Sequence, residues 1–138
     1  MLTKLDTAVK MAAEDYEAHA NHLYDLFLSS MIYVPTWDLP EKVGFSLSKE
    51  NQQIHPIIIE SEGRKYIMLF DSEERVTEWT ANAEEAREIG VIGMSGYDVL
   101  KTFQSDVHMM LNVVSDYMKE FVPEEINWLL QNAKKNTN

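Results

Sequence analysis

Lys65-Tyr66-Ile67-Met68-Leu69-Phe70-Asp71-Ser72-Glu73-Glu74-Arg75-Val76-Thr77-Glu78-Trp79 is the stretch that decides the fold class. Its apolar-rich start, Lys65 to Phe70, reads as a buried strand. A polar break follows, and an amphipathic pattern then runs to Trp79 or Thr80. Asp71 is expected to cap that helix, with Glu74 three residues on, as in a capping box. Just upstream, Glu60-Ser61-Glu62-Gly63-Arg64 reads as a turn. Ile57-Ile58-Ile59 before it is β-branched throughout and is expected to be a buried strand pairing with Lys65–Phe70 as a hairpin. Strands apolar at successive positions are covered on both faces, so helices are expected on both sides of the sheet.

The flanking sequence extends this pattern. Leu5, Val9 and Ala12 or Ala13 recur at helical spacing within Thr3 to Ala13. Tyr16, Ala20, Leu23 and Phe27 form one stripe of a second helix, Asp15 to Ser30. Met31 to Val34 reads as a strand ended by Pro35, which lacks a backbone donor. Thr36 to Lys42 reads as a loop anchored by Trp37. Phe45 to Ser48 alternates as a half-wet strand does. Asn82 to Glu88 is acidic and weakly patterned. Ile89 to Met94 is a strand, Tyr97 to Phe103 a helix and Val107 to Leu111 another strand, while Val113 to Phe121 is ambiguous. Pro123 suits the first turn of a last helix, with Ile126, Leu129 and Leu130 packing inward and Lys134 and Lys135 near its C-terminal end. The order predicts an α+β (mixed α/β) domain: a central mixed sheet of about five to six strands flanked by helices, two at the N-terminus and one at the C-terminus. Residues 1–135 are expected to form one domain and 136–138 a frayed tail.

Composition removes several classes of function. The 138 residues contain no cysteine, which excludes disulfides, thiolate catalysis, zinc fingers and iron–sulfur clusters. The net charge of −11 disfavours bare nucleic acid and anionic membrane, because both need clustered cations. No segment offers the ~20 continuous apolar residues of a membrane span. The start, Met1 to Asp6, lacks signal-peptide features, so a cytoplasmic location is expected. The charge is uneven: Asp71 to Glu88 holds seven acids and two arginines, a net of −5.

Several blocks of residues together resemble the N-terminal domain of the SseB ("enhanced serine sensitivity") family of bacterial proteins. They are Leu23 to Leu28 running into Ile32-Tyr33-Val34-Pro35, Tyr66 to Glu74 leading to Trp79, Gly96-Tyr97-Asp98-Val99-Leu100, Asp106 to Asn112, and Phe121 to Ile126. The resemblance spans Leu2 to Leu130. This chain has Asp71 where members tend to have Thr or Ser, and Asn112-Val113 where they often have Asn-Pro. The resemblance implies an α+β scaffold and no known catalytic residue.

No constellation of residues points to catalysis or to a cofactor. Asp15, His19 and His22 share one side of the second helix, but a metal site needs a further ligand from elsewhere. Asp106 and His108 would face the same side of a strand. Gly90-Val91-Ile92-Gly93-Met94-Ser95-Gly96 lacks the ending and spacing of a phosphate loop. Trp79 is expected in the core and Trp128 at its edge. The leading expectation is therefore a non-enzymatic protein–protein interaction module that meets a basic partner through Trp37, Asp71, Glu74, Glu78, Glu84, Glu85 and Glu88. An inhibitor or immunity protein for a basic partner is one version of it. A small-molecule, amino-acid-related sensor or enzyme with a pocket lined by His108, Tyr97 and Asp98 is the alternative from another class. Homodimer formation through an exposed sheet edge is a third.

Overall fold

The computed structural model describes residues 2–37, 45–47, 55–81, 89–113 and 115–136. Helices α1 (Lys4–Glu14) and α2 (Tyr16–Ser29) come first. Thr3 Oγ1 accepts from the Asp6 backbone at 3.1 Å while the Asp6 carboxylate accepts from Thr3 N at 3.0 Å, a reciprocal capping box. Asp15 is extended, and its carboxylate accepts from Ala18 N at 3.2 Å, so it ends one helix and caps the next.

Two sheets follow. Strands β1 (Met31–Thr36), β2 (Phe45–Leu47) and β5 (Gly90–Ser95) form one, with β1 antiparallel and β2 parallel to the central β5. Strands β3 (Ile58–Ser61), β4 (Arg64–Leu69), β6 (His108–Leu111) and β7 (Lys119–Phe121) form the other in the order β3-β4-β6-β7, with β4 and β6 parallel. Helices α3 (Glu73–Thr80), α4 (Gly96–Phe103) and α5 (Pro123–Asn136) complete the described elements. The fold is α+β, as expected. The strands are divided between two sheets, and these are stitched together along the free edge of β1. Tyr33 and Phe70 exchange backbone hydrogen bonds of 2.7 and 3.0 Å, Ile57 N donates to Pro35 O at 3.1 Å, and Trp37 N to His55 O at 2.8 Å.

Alternation along β4 explains how both of its faces are buried. Ile67 and Leu69 join the main core with Phe27, Ile32, Leu100, Met109 and Phe121. Met68 and Phe70 point the other way, into a smaller cluster with Val76 of α3, flanked by Trp79, Tyr33 and Tyr66. The β3–β4 hairpin closes on Glu62 (φ 53°) and Gly63 (φ 79°), both left-handed, as a two-residue type I′ turn requires.

Three local expectations are corrected. Ile57 is buried, but Ile58 and Ile59 are 45% and 37% exposed, because β3 is the outermost strand of its sheet. β1 does not stop at Pro35 but runs to Thr36. Residues 33, 35 and 37 direct their backbone groups away from β5, so the missing N–H of Pro35 removes nothing from the β1–β5 ladder. Tyr16, on the expected inward stripe of α2, is exposed and meets Tyr24 through its hydroxyl and an edge-to-face ring contact. The ambiguous stretch before Pro123 contains β7, whose Phe121 is fully buried against Phe27, with ring centroids 4.6 Å apart.

Candidate interaction surface

The helix after β4 is capped one residue later than its sequence suggests. Ser72 is the N-cap, and its hydroxyl accepts from Arg75 N at 3.2 Å. Asp71 is drawn elsewhere. Its carboxylate accepts from Arg75 Nη1 at 3.1 Å and from Thr3 Oγ1 at 2.5 Å, and its backbone N–H donates to Asn112 Oδ1 at 3.1 Å. The acid expected on the surface is therefore turned inward and nearly buried.

Arg75 is the hub of this cluster. It grips Asp6 through both carboxylate oxygens, at 2.9 and 2.5 Å, a bidentate pairing that suits the planar guanidinium. Asp6 is only 1% exposed and also accepts from Ser115 Oγ at 3.2 Å. Burial alone would raise the Asp6 pKa. The Arg75 hydrogen bond, the Thr3 N–H, the guanidinium charge and the Ser115 hydroxyl together outweigh it and hold Asp6 below the ordinary carboxylate value. The Asp6 hydrogen bond, with the charges of Asp71 and Asp6, holds Arg75 above its own value against the cost of its burial. The cluster ties the start of α1 to the β4–α3 junction and to the segment after β6. Asn112 completes it in a left-handed conformation (φ 55°), with its side-chain amide nitrogen buried and unpartnered.

The outward face of α3 is the counterpart of this arrangement. Glu73, Glu74, Thr77 and Glu78 are exposed. Arg75, the one cation of the helix, has its charge committed to Asp6 and Asp71. Three glutamates therefore face solvent with no neutralising cation on their own helix. Trp37 is 53% exposed just after β1.

A family model, the SseB protein N-terminal domain, matches residues 5–128. The chain belongs to the SseB N-terminal domain family. No curated protein matches it. Every block of residues from Leu23 to Ile126 that carried the resemblance lies within the matched span of the SseB domain.

The remaining candidates of this SseB domain fall in different places. Glu84, Glu85 and Glu88 lie outside the described residues. Trp79 is half-buried, its ring 5.7 Å from that of Phe70. His108 stacks on Tyr66 at 5.2 Å, and its Nδ1 lies 2.7 Å from Glu120 Oε2, so its neighbour is that acid across the sheet and not Asp106. Tyr97 lines a cleft with residues of α4 and α5, among them Lys101, Asn127 and Gln131. Asp15 is occupied in capping α2, and no group of three or more metal-ligating side chains occurs among the described residues. Among them, too, no helix is long and apolar enough to cross a membrane.

Sequence reasoning missed Asp6, Arg75, Thr3, Ser115 and Asn112. Two signals were present. Thr3 and Asp6 stand at capping-box spacing, and Arg75 is a lone base at the centre of an acidic helix. Neither signal names a partner about seventy residues away.

A second polar chain joins α2 to α5. Tyr24 donates to Glu125 Oε2 at 2.6 Å, and Lys119 Nζ reaches both oxygens of Glu125 at 3.1 and 2.9 Å. Burial, then the hydrogen bonds to Glu125 and Tyr16, push the Tyr24 phenol far above its usual value, so it remains a neutral donor.

Proposed function

We propose that this SseB domain is a non-enzymatic, cytoplasmic protein-interaction module that docks a basic partner on the outer face of α3, with Trp37 as an apolar contact. The observation that carries the reading is the inward turn of Arg75, which leaves Glu73, Glu74 and Glu78 exposed without a cation on the helix. An uncompensated anionic face raises the encounter rate with a basic surface, and an exposed tryptophan suits the centre of an interface. The net charge of −11 acts in the same direction. The test is capture from the source cell by wild type and by a Glu74→Lys/Glu78→Lys variant, with quantitative mass spectrometry. Basic proteins retained by wild type are expected to fall by about tenfold on the variant, since repulsion replaces steering. The variant itself should keep its stability to within about 1 kcal/mol, since only Glu74→Lys places a cation near the helix start, at a cost of about 0.3–1, and Glu78→Lys falls in the last turn. Equal capture by both proteins would end this reading.

The exposed pair Ile58 and Ile59 on the outermost strand β3 favours a second reading, self-association through that edge. Light scattering is then expected to show a dimer that Ile58→Lys/Ile59→Lys converts to a monomer. A wild type that is monomeric at high concentration contradicts it.

A further inference from the structure

The groove between α2 and α5 combines features that the acidic face of α3 does not explain. It is a cleft of about 320 Å³ lined by, among others, Asn21, Tyr24, Asp25, Leu28, Trp128 and Asn132. Trp128 is 50% exposed although its neighbours Leu129 and Leu130 are buried, and its ring lies 5.8 Å from that of Tyr24. The indole therefore covers one edge of the core and presents the rest of its surface to the groove. Among the described residues Asp25 is the only charged one in the lining, and its carboxylate has no side-chain partner there. Asn132 uses its amide nitrogen on Trp128 O at 2.8 Å, which leaves its side-chain oxygen as an acceptor. The deeper carboxylate, Glu125, is already matched by Lys119 and Tyr24, so it adds no unpaired charge.

The groove thus offers an aromatic surface, an unpaired carboxylate and an amide oxygen. That set of acceptors suits a ligand that only donates, is positively charged and is flat enough to lie on an indole. A guanidinium meets all three conditions, and an ammonium lacks the planarity. The volume sits at the low end for ligand sites, suited to one side chain and not to a drug-sized molecule. We propose that the α2–α5 groove is a receptor for an arginine side chain of a protein partner, stacked on Trp128 and paired with Asp25. The site involves no residue of α3 and stands or falls separately from the docking face proposed there.

The test is nuclear magnetic resonance of the indole N–H groups. The chain has three tryptophans, and a Trp128→Phe variant assigns the relevant signal by its loss. Titration with N-acetyl-arginine methylamide is expected to shift the Trp128 signal saturably, with a millimolar dissociation constant. The citrulline analogue, of the same shape without charge, is expected to leave it in place. Asp25→Asn alters an exposed residue and should weaken binding by about tenfold while the rest of the spectrum is kept. No saturable shift at roughly tens of millimolar, an equal shift with the citrulline analogue, or an undiminished shift in Asp25→Asn would overturn the proposal. Tighter binding of free arginine than of the blocked form would replace the protein partner with a small molecule and would overturn it too.

Discussion

Replacing Arg75 with methionine is expected to remove about 3–5 kcal/mol of stability at neutral pH, because two buried carboxylates lose their counter-charge at once. That is a large part of the ~5–15 kcal/mol by which a domain is stable. It corresponds to a fall of about 10 °C or more in the melting temperature. Asp6 suffers most, since its low exposure denies it water as a substitute partner. In wild type the Asp6 pKa is depressed below 3.8. Its contribution is therefore fully present above that value and is lost only as pH falls through the lower folded one. In the variant the burial effect is opposed only by the Thr3 N–H and the Ser115 hydroxyl, and the Asp6 pKa rises. Acidification then relieves the variant by protonating the stranded carboxylate, while the wild-type contribution of Asp6 stays intact over the same range. The stability gap between the two proteins is expected to narrow steadily as pH is lowered from 7 towards 4. Urea melts across that range measure it. A loss below about 1 kcal/mol, typical of exposed ion pairs, would show that Arg75 does not hold the cluster. Adding Asp6→Asn and Asp71→Asn to Arg75→Met should restore part of the loss, since no buried charge is then left unpaired.

Gly96→Ala is expected to be strongly destabilising although it adds a single methyl group. Gly96 opens α4 where that helix meets the end of α2, and its N–H donates to Ser30 O at 3.0 Å. A Cβ there would lie 2.0 Å from Phe27 O and 2.8 Å from Phe27 C. Those are backbone atoms of a fully buried residue, so no rotamer change relieves the clash and the two helices must part. A loss of about 3 kcal/mol or more follows, at or above the usual range for overpacking. Helix propensity alone predicts the opposite, a gain of up to about 1 kcal/mol for alanine over glycine. The sign of the effect therefore separates the two explanations. Gly63→Ala is the control. Its Cβ meets nothing within 4 Å, and only the left-handed backbone (φ 79°) opposes it, at a cost of about 1–2 kcal/mol. A smaller effect at Gly96 than at Gly63 would mean that α2 and α4 do not approach as closely as described.

Much of the fold was legible because it is written in local pattern. Ile67 to Leu69 are apolar in succession, and successive residues of a strand face opposite ways, so two layers of cover had to exist. The hairpin was legible from Gly63, and the start of α5 from Pro123. Burial was less so. Three consecutive isoleucines report a preference for pleated backbone, and that preference is the same in an edge strand as in a central one. Only pairing, which is non-local, puts β3 outermost and leaves Ile58 and Ile59 exposed. Pro35 misled for a related reason, since its missing donor matters only if that side of β1 needs it. Of the candidate surface, Trp37, Glu74 and Glu78 were found from sequence and are exposed. Asp71 was misassigned because capping chemistry at Ser72 and ion pairing at Asp71 look alike in a run of polar residues. The partner that decides between them, Arg75 held by Asp6, acts across a sequence separation of 69 and leaves no periodic trace.

Site-directed photocrosslinking inside the source cell tests most directly whether the outer face of α3 is where a partner docks. A photoreactive amino acid replaces Thr77, which is exposed among Glu73, Glu74 and Glu78, and in a separate protein it replaces Thr102, exposed on α4. A discrete adduct to a basic protein from position 77, absent from position 102 and lost when Glu74 and Glu78 become lysine, is the predicted result. No adduct from position 77, or the same adduct from both positions, would contradict it.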